Sequence, residues 1–157
     1  MLLYLTGRIG DRKVALRLLD QTSVMVDAMK PGRDQIDAQM SVAILYCLQK
    51  SDRGLTIMES LVPKLNELVA AAVKLDGFDN HYLRDGEWNM SSEGGVGSLL
   101  TTLSQSAGYF AWSDFDRALN LAGQFERPEL RLMAQTKLAQ GILAGPPKRL
   151  QVGMPLR

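Results

Sequence analysis

The stretch from Ser113 to Leu143, SDFDRALNLAGQFERPELRLMAQTKLAQGIL, constrains the fold most. It reads as two short amphipathic helices joined by a tight corner. Ser113 is positioned to cap the first, with Asp116 three residues on at the capping-box position. Phe115, Leu119 and Ala122 mark its apolar face, and Phe125 closes it. Glu126-Arg127 turns the corner. Pro128 then starts the second helix, where its missing N–H costs little, and Glu129 follows where the helix dipole favours an acid. Leu130, Met133, Ala134, Leu138 and Ile142 recur at the spacing of one helix face. A helix pair of this size cannot bury its apolar face alone, so it must stack on neighbours.

The upstream chain repeats the theme. From Asp11, a cap candidate, the segment to Lys30 places Ala15, Leu18, Leu19, Thr22, Met25, Val26 and Met29 on one face. Pro31-Gly32 stops it. Asp34 and Asp37 predict a carboxylate capping box for the next helix, whose stripe is Ile36, Met40, Ala43, Ile44, Cys47 and Leu48. Ser51 to Gly54 makes a turn. A longer helix is expected from Leu55 to Leu75, with Met58, Leu61, Val62, Leu65, Leu68, Val69, Ala72 and Val73 in phase. Pro63 sits inside it. Because the stripe keeps its phase across the proline, a continuous, kinked helix is expected. A further helix from Val96 to Ala111 carries Val96, Leu99, Leu100, Leu103, Ala107 and Phe110.

Asp76 to Gly95, DGFDNHYLRDGEWNMSSEGG, breaks the periodicity. Insertions of this length in a compact domain are usually functional or disordered. Phe78, Tyr82, Leu83 and Trp88 require somewhere to pack, and Asp85-Gly86 is a hairpin-turn signal that allows a small β-hairpin. Gly145-Pro146-Pro147 ends the last helix, and residues 146–157 read as a flexible tail.

Two stretches align loosely. DRKVALRLLDQ, a turn and DAQMSVAILYCL lie within Asp11–Leu48; DRALNLAGQF, a turn and ELRLMAQTKLAQGIL lie within Asp116–Leu143. Each places an acidic-basic pair before Ala-Leu on its first helix and small residues on its second. This resembles the tetratricopeptide-like and related α-α superhelical families in an irregular form, and is similar to the helical-repeat regions of large bacterial proteins. The resemblance covers the two ends of the chain. It implies an all-α fold: a short right-handed superhelix of six or seven helices over residues 1–145, interrupted by the inserted loop. It also implies a concave surface made by the first helix of each pair.

Composition narrows the function classes. The formal net charge is +1, which argues against a dedicated nucleic-acid binder. Lys148, Arg149 and Arg157 are too few for a phosphate-binding stripe. No apolar window is long enough for a membrane span. Cys47 is the one cysteine, so no internal disulfide forms. Met1 to Gly10, MLLYLTGRIG, lacks a basic region before its apolar run and a small-residue cleavage site, so it does not read as a signal peptide, and the cytoplasm is the default compartment. The same residues read either as the end of a preceding repeat or as a short N-terminal helix.

Candidate chemistry is sparse. Cys47 and His81 are the residues of a conceivable nucleophile pair, but Cys47 lies in an apolar stripe and reads as core. Asp76, Asp79, His81, Asp85 and Glu87 cluster in the insertion, yet their spacing is not that of a calcium loop. Gly94-Gly95-Val96-Gly97 lacks the Gly-Lys-Ser/Thr of a phosphate loop. Glu87 and Glu93 as paired acids carry almost no weight. The expected function is therefore a non-catalytic protein-interaction or scaffold module with no cofactor or metal. Its partner is another protein or peptide, or neighbouring repeats of a longer chain. Tyr82, Arg84, Glu87 and Trp88 are the expected contacts, because aromatics and arginine anchor interfaces; each equally fits a role in packing the loop onto the helices. A small-ligand site or enzyme using His81, Asp85 and Glu87 is the alternative. A structural segment of a longer repeat protein, an oligomerising piece or a spacer that associates through its end helices, is the third reading.

Overall fold

The computed structural model describes residues 12–78, 80–89 and 95–146. The expectations that rest on Met1–Gly10, Asp11, Asp79, Glu93, Gly94, Lys148, Arg149 and Arg157 lie outside the described residues. Among the described residues are six helices: α1 (Arg12–Asp27), α2 (Arg33–Leu48), α3 (Arg53–Lys74), α4 (Gly95–Ser113), α5 (Phe115–Gly123) and α6 (Pro128–Leu143). The insertion carries β1 (Leu83–Arg84) and β2 (Glu87–Trp88), an antiparallel pair with Leu83 opposite Trp88. The fold is all-α, and the hairpin suggested by Asp85-Gly86 is present. Both turn residues have positive φ, 53° and 83°, as the tight hairpin turn matching strand twist requires.

Each helix packs chiefly on helices one or two places along the chain. α1 lies on α2; α2 also meets α3 and α4; α3 meets α4 and α5; α4 meets α5 and α6; and β2 touches α6. The large core joins α2 through α6 and takes in Tyr82 and Trp88. Its α2 members are Ile36, Met40, Ala43 and Cys47, four of the expected stripe. A smaller core lies on the other side of α2, where Val42, Leu45 and Tyr46 meet Leu19 and Val26 of α1. α2 is thus buried on two faces and is the central helix of this half.

Glycine sets two of the helix contacts. A Cβ on Gly54, in the first turn of α3, would lie 2.4 Å from Cys47 Sγ and 2.5 Å from the Ala43 carbonyl oxygen. A Cβ on Gly141 of α6 would lie 2.5 Å from Gly108 Cα of α4. These backbones approach closely because neither glycine has a side chain. α3 runs unbroken through Pro63, which faces solvent.

Several local expectations are corrected. Asp114, not Ser113, caps α5, accepting from Arg117 N at 3.1 Å; α4 runs on through Ser113 and leaves the next residue to turn. Gly32 occupies the cap position of α2, and Asp34 makes no capping bond there but lies in the first turn. Phe78, expected to pack, is 88% exposed. The buried stripe of α5 is Ala118, Leu121 and Ala122, while Phe115 and Leu119 lie toward solvent. On α1, Ala15, Leu19 and Val26 are buried, but Leu18 and Met25 are exposed, as is Met29 beyond its end. Among the described residues α1 has one principal neighbour, and part of its wide apolar stripe is exposed.

Candidate functional site

Two regions compete for the role: the inserted hairpin and a groove between α1 and α3. The hairpin is held firmly. Asp76 accepts from the backbone N–H groups of Tyr82 and Leu83. Gly77 N donates to the Asn80 carbonyl at 2.9 Å, and Asn89 N to the Tyr82 carbonyl at 2.7 Å. The Tyr82 and Trp88 rings stack with centroids 5.6 Å apart, and both are buried, at 7% and 4% exposure. From α6, Glu129 accepts the Trp88 N–H at 3.0 Å. Arg127 clamps Glu129 at 2.6 Å and donates to the Gly86 carbonyl at 3.0 Å. The Arg127 hydrogen bonds, with the Trp88 N–H, hold the Glu129 carboxyl down to about 2 against a smaller opposing effect of desolvation.

Of the residues expected to meet a partner, Tyr82 and Trp88 therefore pack the loop onto the helices, and Arg84 and Glu87 are exposed. His81 and Asp85 are exposed too, and the three described cavities are lined by other residues. The Asp76 carboxylate is engaged with backbone amides. No three His, Cys, Asp or Glu side chains are placed to hold a metal ion among the described residues. Cys47 is buried, and desolvation pushes its thiol up to about 11, against smaller lowering effects of Ser113 and Arg117. A thiol so raised is a poor nucleophile at neutral pH.

The groove is assembled differently. α1 is pinned to α2 at both ends. Arg12 donates to the carbonyls of Gln49 and Lys50, which follow α2, at 2.8 and 3.2 Å. Gln35 Nε2 reaches the carbonyls of Val26, Asp27 and Met29 at the far end, at 3.2 to 3.3 Å. Between these pins, α1 and α3 stand apart over α2. Two cavities of about 220 and 370 Å³ open there, sharing Ser23, Thr56 and Ile57.

One end of the groove holds a neutralised charge cluster. Asp20 accepts from the Tyr46 hydroxyl at 2.7 Å and from Arg53. The Tyr46 hydrogen bond, with Arg53, keeps the Asp20 carboxyl below its ordinary range. Burial, and then Asp20, pushes the Tyr46 phenol up. The Arg53 guanidinium also sits 6.0 Å from the Tyr46 ring centroid, at the outer range of a cation–π contact. At the other end, Gln39 Nε2 donates to Asp27 at 3.0 Å, while Gln39 Oε1 is buried with no hydrogen-bond partner among the described residues. The α3 wall is braced from behind. Arg117 of α5 grips both oxygens of Glu59 at 2.6 and 2.8 Å and donates to Thr56 Oγ1 at 2.8 Å.

A third cavity, of about 40 Å³, lies within the large core among Met58, Leu103, Phe110, Leu121, Phe125 and Leu138. Its walls are apolar.

Helix periodicity did not mark the groove residues. Tyr46 falls outside the Ile36–Leu48 stripe, and Ser23, Gln39 and Thr56 carry no motif. The available signal was a second stripe on the same helix, Val42, Leu45 and Tyr46, which marks a helix apolar on two sides. Against known protein families, curated proteins and solved structures, the chain finds no match. No helix among the described residues is long and apolar enough to cross a membrane.

Proposed function

We propose that the chain is a non-catalytic protein-interaction module, a short right-handed stack of helix pairs whose α1–α3 groove receives a segment of another protein. The observation that carries this reading is the groove itself: two adjoining cavities with mixed lining, floored by α2. The packing of each helix on its near neighbours along the chain supports the stacked arrangement. The hairpin supports it in another way, since Asp76, Glu129 and Arg127 hold the loop against the helices.

The test is selection of binders from a random dodecapeptide display library, followed by mapping on the isotope-labelled protein. Recovered peptides are expected to shift Ser23, Gln39 and Ile57. Binding should be lost in Ser23→Tyr, which fills the groove, and kept in Arg84→Ala and Glu87→Ala. Binding that survives Ser23→Tyr and is lost with the hairpin substitutions overturns the groove.

A second reading is favoured by a specific observation. The end helices expose apolar residues: Val24 at 70% and Met25 at 72% on α1, Leu132 at 67% on α6. Such surfaces fit self-association through the ends of the stack. Sedimentation velocity over a hundredfold concentration range separates the two, since only self-association changes the sedimenting species.

A further inference from the structure

The outer face of α1 carries a regular row of exposed residues. Leu19 and Val26 pack toward α2. Roughly a third of a turn round the helix, at about 100° per residue, Val14, Leu18, Gln21, Met25 and Ala28 are exposed. Ala28 lies one residue past α1, and its N–H still donates to the Val24 carbonyl at 3.2 Å, so the row keeps its helical phase to the end. The steps along the row are four, three, four and three residues. That alternation is the seam of a two-stranded coiled coil, whose natural cover is a second helix. No charged residue interrupts it. Val24 and Met29, also exposed, flank the seam on opposite sides.

The seam is complementary to itself. In a parallel pair related by a twofold axis, each seam position meets its own copy. Val14, Leu18 and Met25 then form apolar layers. Gln21 meets Gln21 of the second copy, and a side-chain amide both donates and accepts, so the two satisfy each other. The same register sets Val24 of one copy against Met29 of the other at the rim of the Met25 layer. An antiparallel pair would instead set Gln21 against Leu18 or Met25, an amide against an apolar side chain. The face of α6 is a poorer match. It exposes Leu132 and Leu143, but Thr136 and Ala139 stand between them at the same spacing. Pairing α6 with α1 would also be head-to-tail and would not close.

We infer that the outer face of α1 is a homodimer surface, on which two copies of this chain pair through parallel α1 helices. This gives the self-association reading above its surface, partner and register. Seam and groove are separate, since none of the five seam residues lines either groove cavity. With its two flanking residues the seam offers seven residues a copy, against roughly 20–30 in a standard interface. The dimer is therefore reversible, with a dissociation constant of about 10 µM to about 1 mM.

Sedimentation velocity over that concentration range provides the test. Monomer is expected to convert to dimer and to stop there. Leu18→Glu and Met25→Glu place a charge in the seam and should weaken the dimer about tenfold or more; both sites are exposed, and unchanged circular dichroism checks that the fold is kept. Gln21→Leu removes the polar layer and should tighten the dimer, because a polar seam residue fixes register at a cost in stability. Val14→Cys should give a disulfide-linked dimer on mild oxidation, since only a parallel pair brings position 14 to its own copy; Cys47 is buried and does not compete. A dimer indifferent to both glutamate variants, or growth past the dimer with concentration, overturns this surface and leaves self-association standing. A dimer in which Val14→Cys does not cross-link overturns the parallel register. A monomer at every concentration overturns self-association altogether and leaves the groove reading untouched.

Discussion

The two ends of the molecule are built on opposite principles. At the α4–α6 end, helices meet backbone to backbone at Gly108 and Gly141, and the hairpin is fastened by Glu129, Arg127 and a buried aromatic pair. At the α1 end, one helix rests on α2 alone among its principal neighbours, pinned at its two ends, with space beneath its middle. The inserted loop looks irregular in sequence but is structurally committed. The α1 segment looks like an ordinary amphipathic helix but leaves a groove and an uncovered stripe. Irregular sequence is thus a poor guide to where packing is incomplete.

The largest expected effect is at the dense end. Trp88→Ala removes a buried aromatic that joins hairpin to helix and should cost about 3–5 kcal/mol, read from the denaturant midpoint. A loss below about 1 kcal/mol would mean that the hairpin is not part of the core. Gly141→Ala comes next. Its methyl would meet Gly108 backbone rather than a yielding side chain, so a loss of about 1–3 kcal/mol is expected, with Gly123→Ala, which meets nothing, as the neutral or stabilising comparison.

Acid gives a third contrast. The Glu129 carboxyl is lowered from 4.5 to about 2 by Arg127 and the Trp88 N–H, so the unfolded chain binds its proton first as pH falls. The stabilisation is complete above about 4.5 and is lost as pH drops toward about 2. The near-UV circular dichroism of the Tyr82–Trp88 pair should fade over that window, and Glu129→Gln should remove this component of the acid transition. At the open end, Val24→Ser and Met25→Ser should change stability by about 0.5 kcal/mol or less. A larger loss would show that the outer face of α1 is covered.

Much of the architecture was legible. Pro128 at the first position of α6, the phase of the α3 and α4 stripes and the Asp85-Gly86 turn each express a local rule that tertiary contacts do not override. The caps of α2 and α5 differ from expectation because helix starts shift by one or two residues: Gly32 precedes Asp34 at α2, and Asp114 follows Ser113 at α5. The expected site was drawn to the insertion, since periodicity assigns every in-phase apolar residue to the core and leaves only the aperiodic stretch as individual. The groove lies among polar residues that the apolar stripes pass over, Ser23, Gln39 and Thr56. Their meaning depends on α1 and α3 standing apart, a tertiary fact with no local signature.

Native-state hydrogen exchange tests the contrast most directly. α1 amides are expected to open at lower free energy than those of α4 and α6, which exchange only with global unfolding. A saturating groove-binding peptide should raise the protection of α1 and leave the hairpin unchanged. Equal protection of α1 and α4 in the free protein, or peptide-induced protection confined to Leu83–Trp88, would contradict the account.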